Sequence, residues 1–317
     1  MKIIITGCAG FIGYHLCQSL IENGHDILGI DNINAYYDQE LKLSRLKNLK
    51  SNANFKFEKT NINEFNELKR SFKNFKPQKV VNLAAQPGVR YSLINPHAYV
   101  ESNLVGFVNI IELCQKYSVE SLIYASSSSV YGNGKDLPYK IEDYTDKPIS
   151  LYGATKKANE LIAHSYSHLY DLNTIGLRYF TVYGSWYRPD MALFIFTNKI
   201  INNEKIEVFN HGDMKRDFTY IDDIIKGTIS AVESDFKNEI FNLGNNKSEK
   251  LLDIIHVIED CIGKKAEIEL KEIQPGDVKN TLADISNSIK KLNYDPKTNI
   301  NQGIPIFIDW YRKYYNV

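Results

Sequence analysis

The chain of 317 residues has no surplus of charge and few cysteines, and both absences exclude classes of protein. Lys plus Arg and Asp plus Glu number 38 each, so no overall basic field attracts nucleic acid or a membrane surface. Its four cysteines, Cys8, Cys17, Cys114 and Cys261, form no C-x-x-C pair and lack the spacing of a disulfide framework. We therefore expect buried thiols in a reducing cytoplasm.

Long apolar runs are absent as well. No run reaches the roughly 20 residues that a membrane span requires, and no charged leader with an apolar signal core precedes the first strand-like segment. At 43% hydrophobic residues, the chain can still bury the core of one large or two intimate domains. The sequence predicts a soluble, cytoplasmic protein with no membrane or nucleic-acid partner and no metal site.

Apolar strand-like runs alternate with helical periodicity over the first 180 residues. The runs are KIIIT, DILGI, NFKFEK, KVVNLAA, SLIYAS and NTIGLRYF, and helical periodicity covers 11–23, 39–50, 64–75, 98–117 and 152–170. This alternation predicts an α/β fold with a doubly wound parallel sheet of the Rossmann type. Loops bearing Gly and Pro after residue 181 predict a smaller substrate-binding domain at 181–317. A segment at about 217–245 is expected to return to the first domain, residues 1–180.

The first strand runs directly into a glycine motif, GCAGFIG, with Gly7, Gly10 and Gly13, and then into an amphipathic helix. A strand, a glycine turn and a helix N-terminus together form a binding site for the pyrophosphate of a dinucleotide. The second strand ends at Asp31, whose carboxylate can accept hydrogen bonds from an adenosine ribose and repel a 2′-phosphate. This pattern favours NAD over NADP, although Asp31 could also simply cap its loop.

A Tyr-x-x-x-Lys pair, Tyr152 and Lys156, opens the helix predicted at 152–170. The spacing is one helical turn, so the ammonium can favour the phenolate and bring the pKa of Tyr152 toward neutral pH. The strand SLIYAS ends in a run of four serines shortly before this pair. The pair alone could be a chance match on a solvated helix, and the serines could be a flexible loop. Together they predict a site that transfers a proton from a hydroxyl.

Five long segments in a fixed order carry a more specific resemblance. They are NLAAQPGVRYSLINPHAYVESNLVG, YASSSSVYG, LYGATKKANELIAHSYSHLY, RYFTVYGSWYRPDMALF and MKRDFTYIDDI. With the glycine motif, they make the chain similar to extended short-chain dehydrogenases/reductases. More narrowly, they resemble UDP-glucuronate 4-epimerases of capsule and lipopolysaccharide pathways. The resemblance covers essentially the whole chain.

The resemblance implies an isomerase that uses NAD to invert C4 of a UDP-sugar through a transient 4-keto sugar, and a homodimer built on the helices at 98–117 and 151–170. It assigns catalysis to Ser127, Tyr152 and Lys156. It assigns cofactor binding to Gly7, Gly10, Phe11, Ile12, Gly13, Asp31, Asn32, Asn61, Ile62, Ala84 and Lys156. It assigns substrate binding to Ser128, Ser129, Thr181 and Arg188 at the sugar carboxylate, Arg216 at the diphosphate, Asp277 at the uridine ribose, and Asn103 near the Tyr-Lys pair.

Two departures bear on the choice of sugar. The family usually reads VYGPWGRPDMA where this chain reads VYGSWYRPDMA, so Ser185 and Tyr187 replace a proline and a glycine. We expect a freer loop and a tyrosine that could crowd or redirect the carboxylate pocket beside Arg188. The alternatives are an epimerase for another UDP-sugar, such as UDP-glucose or UDP-N-acetylglucosamine, and a non-catalytic nucleotide-binding relative. Dehydratases and decarboxylases of the family carry an acid after the catalytic Ser/Thr, and Ser128 stands there instead.

Overall fold

The computed structural model describes residues 1–134 and 136–317. Its strands are β1 Lys2–Thr6, β2 Asp26–Asp31, β3 Phe55–Lys59, β4 Lys79–Asn82, β5 Ser121–Ser127, β6 Asn173–Tyr179, β7 Thr181–Tyr183, β8 Ile206–Phe209, β9 Lys215–Tyr220, β10 Glu239–Leu243, β11 Ser248–Lys250 and β12 Ile268–Lys271. Its α-helices are α1 Phe11–Glu22, α2 Gln39–Lys50, α3 Phe65–Phe75, α4 Tyr91–Ile94, α5 Pro96–Tyr99, α6 Gly106–Lys116, α7 Leu151–Tyr170, α8 Ala192–Ile201, α9 Ile221–Glu233, α10 Leu251–Ile262, α11 Ser286–Leu292 and α12 Ile300–Tyr315.

A seven-stranded sheet with the order β10-β6-β5-β4-β1-β2-β3 organises the chain, and all its pairings are parallel. In β1, Ile4 pairs with Leu28 of β2 on one side and with Val80 of β4 on the other. The α/β fold with a doubly wound parallel sheet is therefore confirmed. The strand order reverses between β1 and β4, which opens a crevice at the carboxyl ends of these strands.

Hydrophobic clusters lie on both faces of this sheet. Ile3 and Ile5 of β1 belong to one cluster, whereas Ile4 belongs to the other, because successive side chains of a strand point to opposite faces. Helices cover both clusters, as a buried parallel sheet requires. Within the described ranges, no helix is both long enough and apolar enough to cross a membrane.

The predicted helix at 98–117 is the one whose form differs from the expectation. The chain forms the short helix α5, a π-helical segment at Val100–Val105 and then α6. Such wide turns occur often at functional sites. Here the π-helical segment carries Asn103, whose side chain binds backbone and side-chain atoms of neighbouring elements.

Beyond residue 180, two small sheets join the large one. Strands β11, β9 and β7 form a three-stranded sheet, and β12 pairs with β8. Within the segment predicted to return, β10 joins the large sheet beside β6, whereas β9 pairs with β7 and β11. The division into domains near residue 181 stays a prediction.

Candidate active site

A cleft of about 670 Å³ lies at the carboxyl ends of the parallel strands and continues into the chain beyond residue 180. Every residue that the sequence predicted for the site lines this cleft, except Asn103. Because parallel strands end at one edge of a sheet, residues far apart in sequence meet there. Among the described residues, no group of three or more His, Cys, Asp or Glu side chains could hold a metal ion.

The glycine turn between β1 and α1 leaves no room for a side chain at Gly7 or Gly13. Gly7 has a φ of +73°, and a Cβ on it would lie 2.8 Å from the backbone nitrogen of Ala84. A Cβ on Gly13 would lie 2.1 Å from the carbonyl oxygen of Gly7, so only glycine lets α1 begin this close to the turn. The N-terminus of α1 has no side-chain cap and no acidic residue in its first turn. Its free N–H groups therefore suit a pyrophosphate.

Asp31 lies at the end of β2, next to this turn. Its Oδ2 accepts a hydrogen bond from the Ala9 N–H at 3.1 Å, and its Oδ1 accepts one from the Ile33 N–H at 2.8 Å. The carboxylate caps its own loop, as one interpretation of the sequence had it. It also lines the cleft, where the other interpretation would have it bind a ribose. Burial raises its pKa, which the two backbone bonds and the ammonium of Lys42 oppose.

Asn32, Asn61, Ile62 and Ala84 complete the wall on the side of β1 to β4. The Asn61 side chain accepts a hydrogen bond from the backbone of Asn63 at 3.2 Å, which fixes the amide at the cleft edge. The Ala84 N–H donates to the Thr6 hydroxyl at 3.2 Å. These residues are among those that the sequence predicts to bind the cofactor, and that role stays a prediction.

Tyr152 and Lys156 lie in the first turns of α7, which Ser150 caps through a hydrogen bond from the Gly153 N–H at 3.1 Å. The Lys156 ammonium donates to the carbonyl oxygen of Ala125 in β5 at 2.8 Å, and burial lowers its pKa to about 8. Ser127 ends β5 and accepts a hydrogen bond from the Ser129 N–H at 3.1 Å. The three side chains therefore converge from β5 and α7.

The structure alone does not show the predicted effect of Lys156 on the pKa of Tyr152, which stays a prediction. Burial raises the pKa of Tyr152 above its ordinary value, because the low-polarity surroundings disfavour the phenolate. A hydrogen bond with Ser127 and the positive charge of Arg188 oppose this rise only in part. The phenol of Tyr152 therefore holds its proton more firmly than a free tyrosine does.

Asn103 does not reach the cleft, in contrast to the prediction that it binds substrate. Its side chain is 1% exposed, and its amide donates to the Gln86 carbonyl at 3.1 Å and to the Thr155 hydroxyl at 3.0 Å. Its oxygen accepts a hydrogen bond from the Gln86 N–H at 2.7 Å. Both amide protons are used, so Asn103 ties the loop after β4 to α7 and positions the helix of Tyr152.

Ser128, Ser129, Thr181 and Arg188 also line the cleft. Ser128 and Ser129 follow β5, and Thr181 follows the neighbouring strand β6, so one sheet edge presents all three hydroxyls. Arg188 Nη2 donates to Asp190 Oδ2 at 3.0 Å, and the Tyr36 hydroxyl donates to the same oxygen at 3.2 Å. A guanidinium and several hydroxyls that line one cleft are well suited to a carboxylate.

We expected the loop with Ser185 and Tyr187 to be freer than in the family. Instead, hydrogen bonds from two other elements anchor it. The imidazole of His15 donates from Nε2 to the Ser185 carbonyl at 2.8 Å, and the Arg45 guanidinium donates to the Trp186 carbonyl. The Tyr187 ring is buried and packs on Phe11 at 5.0 Å. Aromatic packing therefore accommodates the tyrosine as part of the cleft wall.

Arg216 and Asp277 lie at the far end of the cleft, near Phe209. Arg216 is held by the Lys279 carbonyl at 2.9 Å, and burial lowers the pKa of its guanidinium. Asp277 pairs with Arg90 at 3.2 Å, and the Arg90 guanidinium lies 4.8 Å from the Phe209 ring centre. This end combines two guanidinium groups, a carboxylate and an aromatic face.

Comparison with known proteins places the whole chain in one family. The model of the NAD dependent epimerase/dehydratase family matches residues 3–244. The chain belongs to this family. It is 46% identical to Protein CapI of Staphylococcus aureus over 99% of both chains. It is 43% identical to a UDP-glucuronate 4-epimerase of Thermodesulfobacterium geofontis, over 97% of this chain and 95% of the relative.

A solved structure extends the comparison to three dimensions. The UDP-glucuronic acid 4-epimerase of Bacillus cereus, in complex with UDP-glucuronic acid and NAD, superposes with a TM-score of 0.95 at 35% identity. The match covers 99% of this chain and 100% of that protein. The recognition of an epimerase of the extended short-chain dehydrogenase/reductase type is therefore confirmed.

The sequence-based interpretation of this epimerase-family chain missed several residues of the cleft. Lys42 donates two hydrogen bonds of 2.7 Å to Asn34, and burial lowers its pKa to about 8. Tyr36, Arg90 and Asp190 also line the cleft. Arg90 and Asp190 stand inside the segments that carry the resemblance, so a closer examination of PGVR and RPDMA would have marked them.

Proposed function

We propose that this protein interconverts UDP-glucuronate and UDP-galacturonate by inverting C4 of the sugar, with NAD as its cofactor. One observation carries the choice of an acidic sugar. The Arg188 guanidinium lines the cleft close enough to Tyr152 for its charge to lower the pKa of the phenol. A cation beside the reacting hydroxyl suits a sugar whose C5 bears a carboxylate.

The residues of the cleft fit NAD. The glycine turn, in which a Cβ would collide with backbone, and the uncapped N-terminus of α1 would hold the pyrophosphate. Asp31 and Asn32 would bind the adenosine ribose, Asn61 and Ile62 would contact the adenine, and Ala84 and Lys156 would contact the nicotinamide half. When bound, NAD supplies the reversible acceptance of hydride from C4.

The side chains of this protein supply the proton transfer. Tyr152 takes the proton of the 4-hydroxyl and returns it after the 4-keto ring has turned its other face, while Ser127 holds the same oxygen. Because burial alone raises the pKa of Tyr152, the base forms only when positive charge gathers around it. Lys156 donates one N–H to the Ala125 carbonyl, and its other N–H groups can donate to the phenolate and the ribose.

The carboxylate of the sugar is the group that the protein recognises, and it is also the group that a side reaction can remove. A 4-keto uronic acid is a β-keto acid, which loses carbon dioxide easily. Arg188 with the hydroxyls of Ser128, Ser129 and Thr181 would hold the carboxylate in an orientation that disfavours this loss. The diphosphate would bind Arg216, and the uridine ribose would bind Asp277.

The test is an analysis of products by chromatography and proton NMR after incubation with UDP-glucuronate, with and without added NAD. UDP-galacturonate without accumulation of reduced cofactor is the expected result, and conversion without added NAD would show that the protein retains its cofactor. Turnover of UDP-glucose or UDP-N-acetylglucosamine in place of UDP-glucuronate would refute the acidic specificity. No turnover of any of them would favour a non-catalytic relative.

We further propose a cytoplasmic homodimer, which exposed apolar side chains on the contacting helices α4 and α7 support. Leu93 and Ile94 of α4 are 62% and 77% exposed, and Leu161 and Leu169 of α7 are 56% and 66% exposed. Where such side chains form a continuous patch, they mark protein interfaces. Light scattering should give twice the monomer mass, and Leu161→Glu should shift it to a monomer. The cysteines, none of which pairs within the described chain, suit a reducing compartment.

A further inference from the structure

We propose that Asp190 determines how tightly the enzyme holds an acidic sugar: it is a resident carboxylate that pairs with Arg188 whenever the carboxylate of the substrate leaves. This inference rests on the proposed function. Epimerisation at C4 requires the keto ring to leave one face and present the other. A uronic acid must therefore release its carboxylate from Arg188 during each turnover.

The contacts of Asp190 fit this role. Its Oδ2 accepts hydrogen bonds from Arg188 Nη2 at 3.0 Å and from the Tyr36 hydroxyl at 3.2 Å. Arg188 Nη2 also donates to the Met191 sulfur at 3.2 Å. Among the described residues, no atom accepts a hydrogen bond from Nε or Nη1 of Arg188, so these donors are left for a ligand in the cleft.

The second oxygen of Asp190 is a further sign that the pair is poised to rearrange. Oδ1 is buried and has no hydrogen-bond partner among residues 1–134 and 136–317, which is costly for a carboxylate oxygen. A sugar hydroxyl in the cleft could donate to it. The side chains of Arg188 and Asp190 are 19% and 23% exposed, so a ligand in the cleft can reach both.

Charge explains why such a device would be useful. Arg188 and Asp190 neutralise each other, so an incoming carboxylate is attracted by the guanidinium and repelled by Asp190. Without Asp190, the acidic sugar would bind more tightly in its ground state, and tighter ground-state binding does not speed the reaction. Arg188 would also be left as an unpaired, largely buried cation each time the ring turned. Asp190 thus lowers the affinity of the protein for the acidic sugar and makes the release of the sugar carboxylate from Arg188 easier.

The charge-removing variant Asp190→Asn tests this role by binding and by kinetics. Binding is measured by calorimetry on the NAD-bound protein in a Tyr152→Phe background, so that the titrated sugar is not converted. We expect the Kd of UDP-glucuronate to fall about tenfold, as removal of one nearby like charge predicts, and the Kd values of UDP and UDP-glucose to stay unchanged. With Tyr152 present, kcat on UDP-glucuronate should fall although KM also falls.

Three further variants keep the result interpretable. Asp190→Glu retains the charge and should not tighten UDP-glucuronate. In an Arg188→Leu background, Asp190→Asn should no longer tighten it, because the pair has lost its cation. If Asp190→Asn does not fold, Asp190→Ser removes the same charge with a smaller side chain.

Equal changes for UDP-glucuronate and UDP, or no change for either, would refute the role of Asp190. If wild-type protein converts no UDP-glucuronate, the proposed function fails separately. The binding comparison then still decides whether Asp190 opposes a carboxylate at Arg188.

Discussion

Arg45 donates a hydrogen bond from Nη2 to the carbonyl oxygen of Trp186, two residues before Arg188. Its Nη1 donates to the carbonyl of Ala9 in the glycine turn at 2.8 Å. One fully buried guanidinium on α2 therefore joins the turn that suits a pyrophosphate to the loop that carries the predicted carboxylate ligand. Trp186 has a φ of +61°, a strained conformation that such anchoring maintains.

Replacing Arg45 with Met should loosen both sites. The variant keeps an apolar stem of similar reach but leaves the Ala9 and Trp186 carbonyls unpaired, which should lower the free energy of unfolding by about 1–3 kcal/mol. We also expect a higher KM for UDP-glucuronate and a lower content of bound NAD. Thermal unfolding, kinetics and cofactor analysis of the purified protein measure the three effects. A lower melting temperature with unchanged KM and NAD content would make Arg45 a purely structural residue.

Tyr152→Phe should reduce turnover by roughly 10²-fold or more, because it removes a positioned acid and base. The ring that packs near Tyr99, with centres 6.2 Å apart, is retained, so binding of UDP-glucuronate should persist. Calorimetry and product NMR separate the two effects. Turnover at the wild-type rate would exclude Tyr152 from the mechanism.

Lys156 should give the ligand-free protein a measurable pH dependence of stability. Burial lowers its folded-state pKa to about 8 from 10.5, so between these values the unfolded chain holds more protons at this side chain. The contribution of Lys156 to the free energy of unfolding therefore rises with pH from about 8 to about 10.5. Denaturant unfolding of wild type and Lys156→Met at a series of pH values isolates it, since other groups cancel in the difference. A difference that stays constant across this range would contradict the lowered pKa.

Alanine in the glycine turn should have graded effects. A Cβ on Gly13 would lie 2.1 Å from the Gly7 carbonyl oxygen, whereas one on Gly10 would lie 3.0 Å from the same atom. Gly13→Ala must push α1 away from the turn, and we expect a loss of about 1–3 kcal/mol of stability together with loss of bound NAD. Gly10→Ala should cost less stability. The reverse order in thermal unfolding and NAD content would show that the turn adapts to a side chain.

The sequence by itself determined the parallel sheet and the positions of most of its strands and helices. Hydrophobic periodicity and glycine spacing are local properties, so KIIIT, DILGI and SLIYAS could be recognised without knowledge of their neighbours. The ordered motifs also identified many residues that line the cleft, and several of them stand at the end of a strand or the start of a helix, whereas Arg188 and Asp277 stand in loops. Asn103 was the exception, because nothing in its segment indicates that its amide is used up by Gln86 and Thr155.

Only the tertiary structure decided which charges meet and how strongly burial acts on them. The pKa of Tyr152 rises because distant elements exclude water from it, an effect that one turn of helix with Lys156 does not reveal. Likewise, Arg45 and Trp186 lie 141 residues apart, and Tyr36 and Asp190 lie 154 apart. Contacts over such separations depend on how the whole chain packs. Local sequence thus specified the elements and the candidate groups, and packing specified their protonation and their partners.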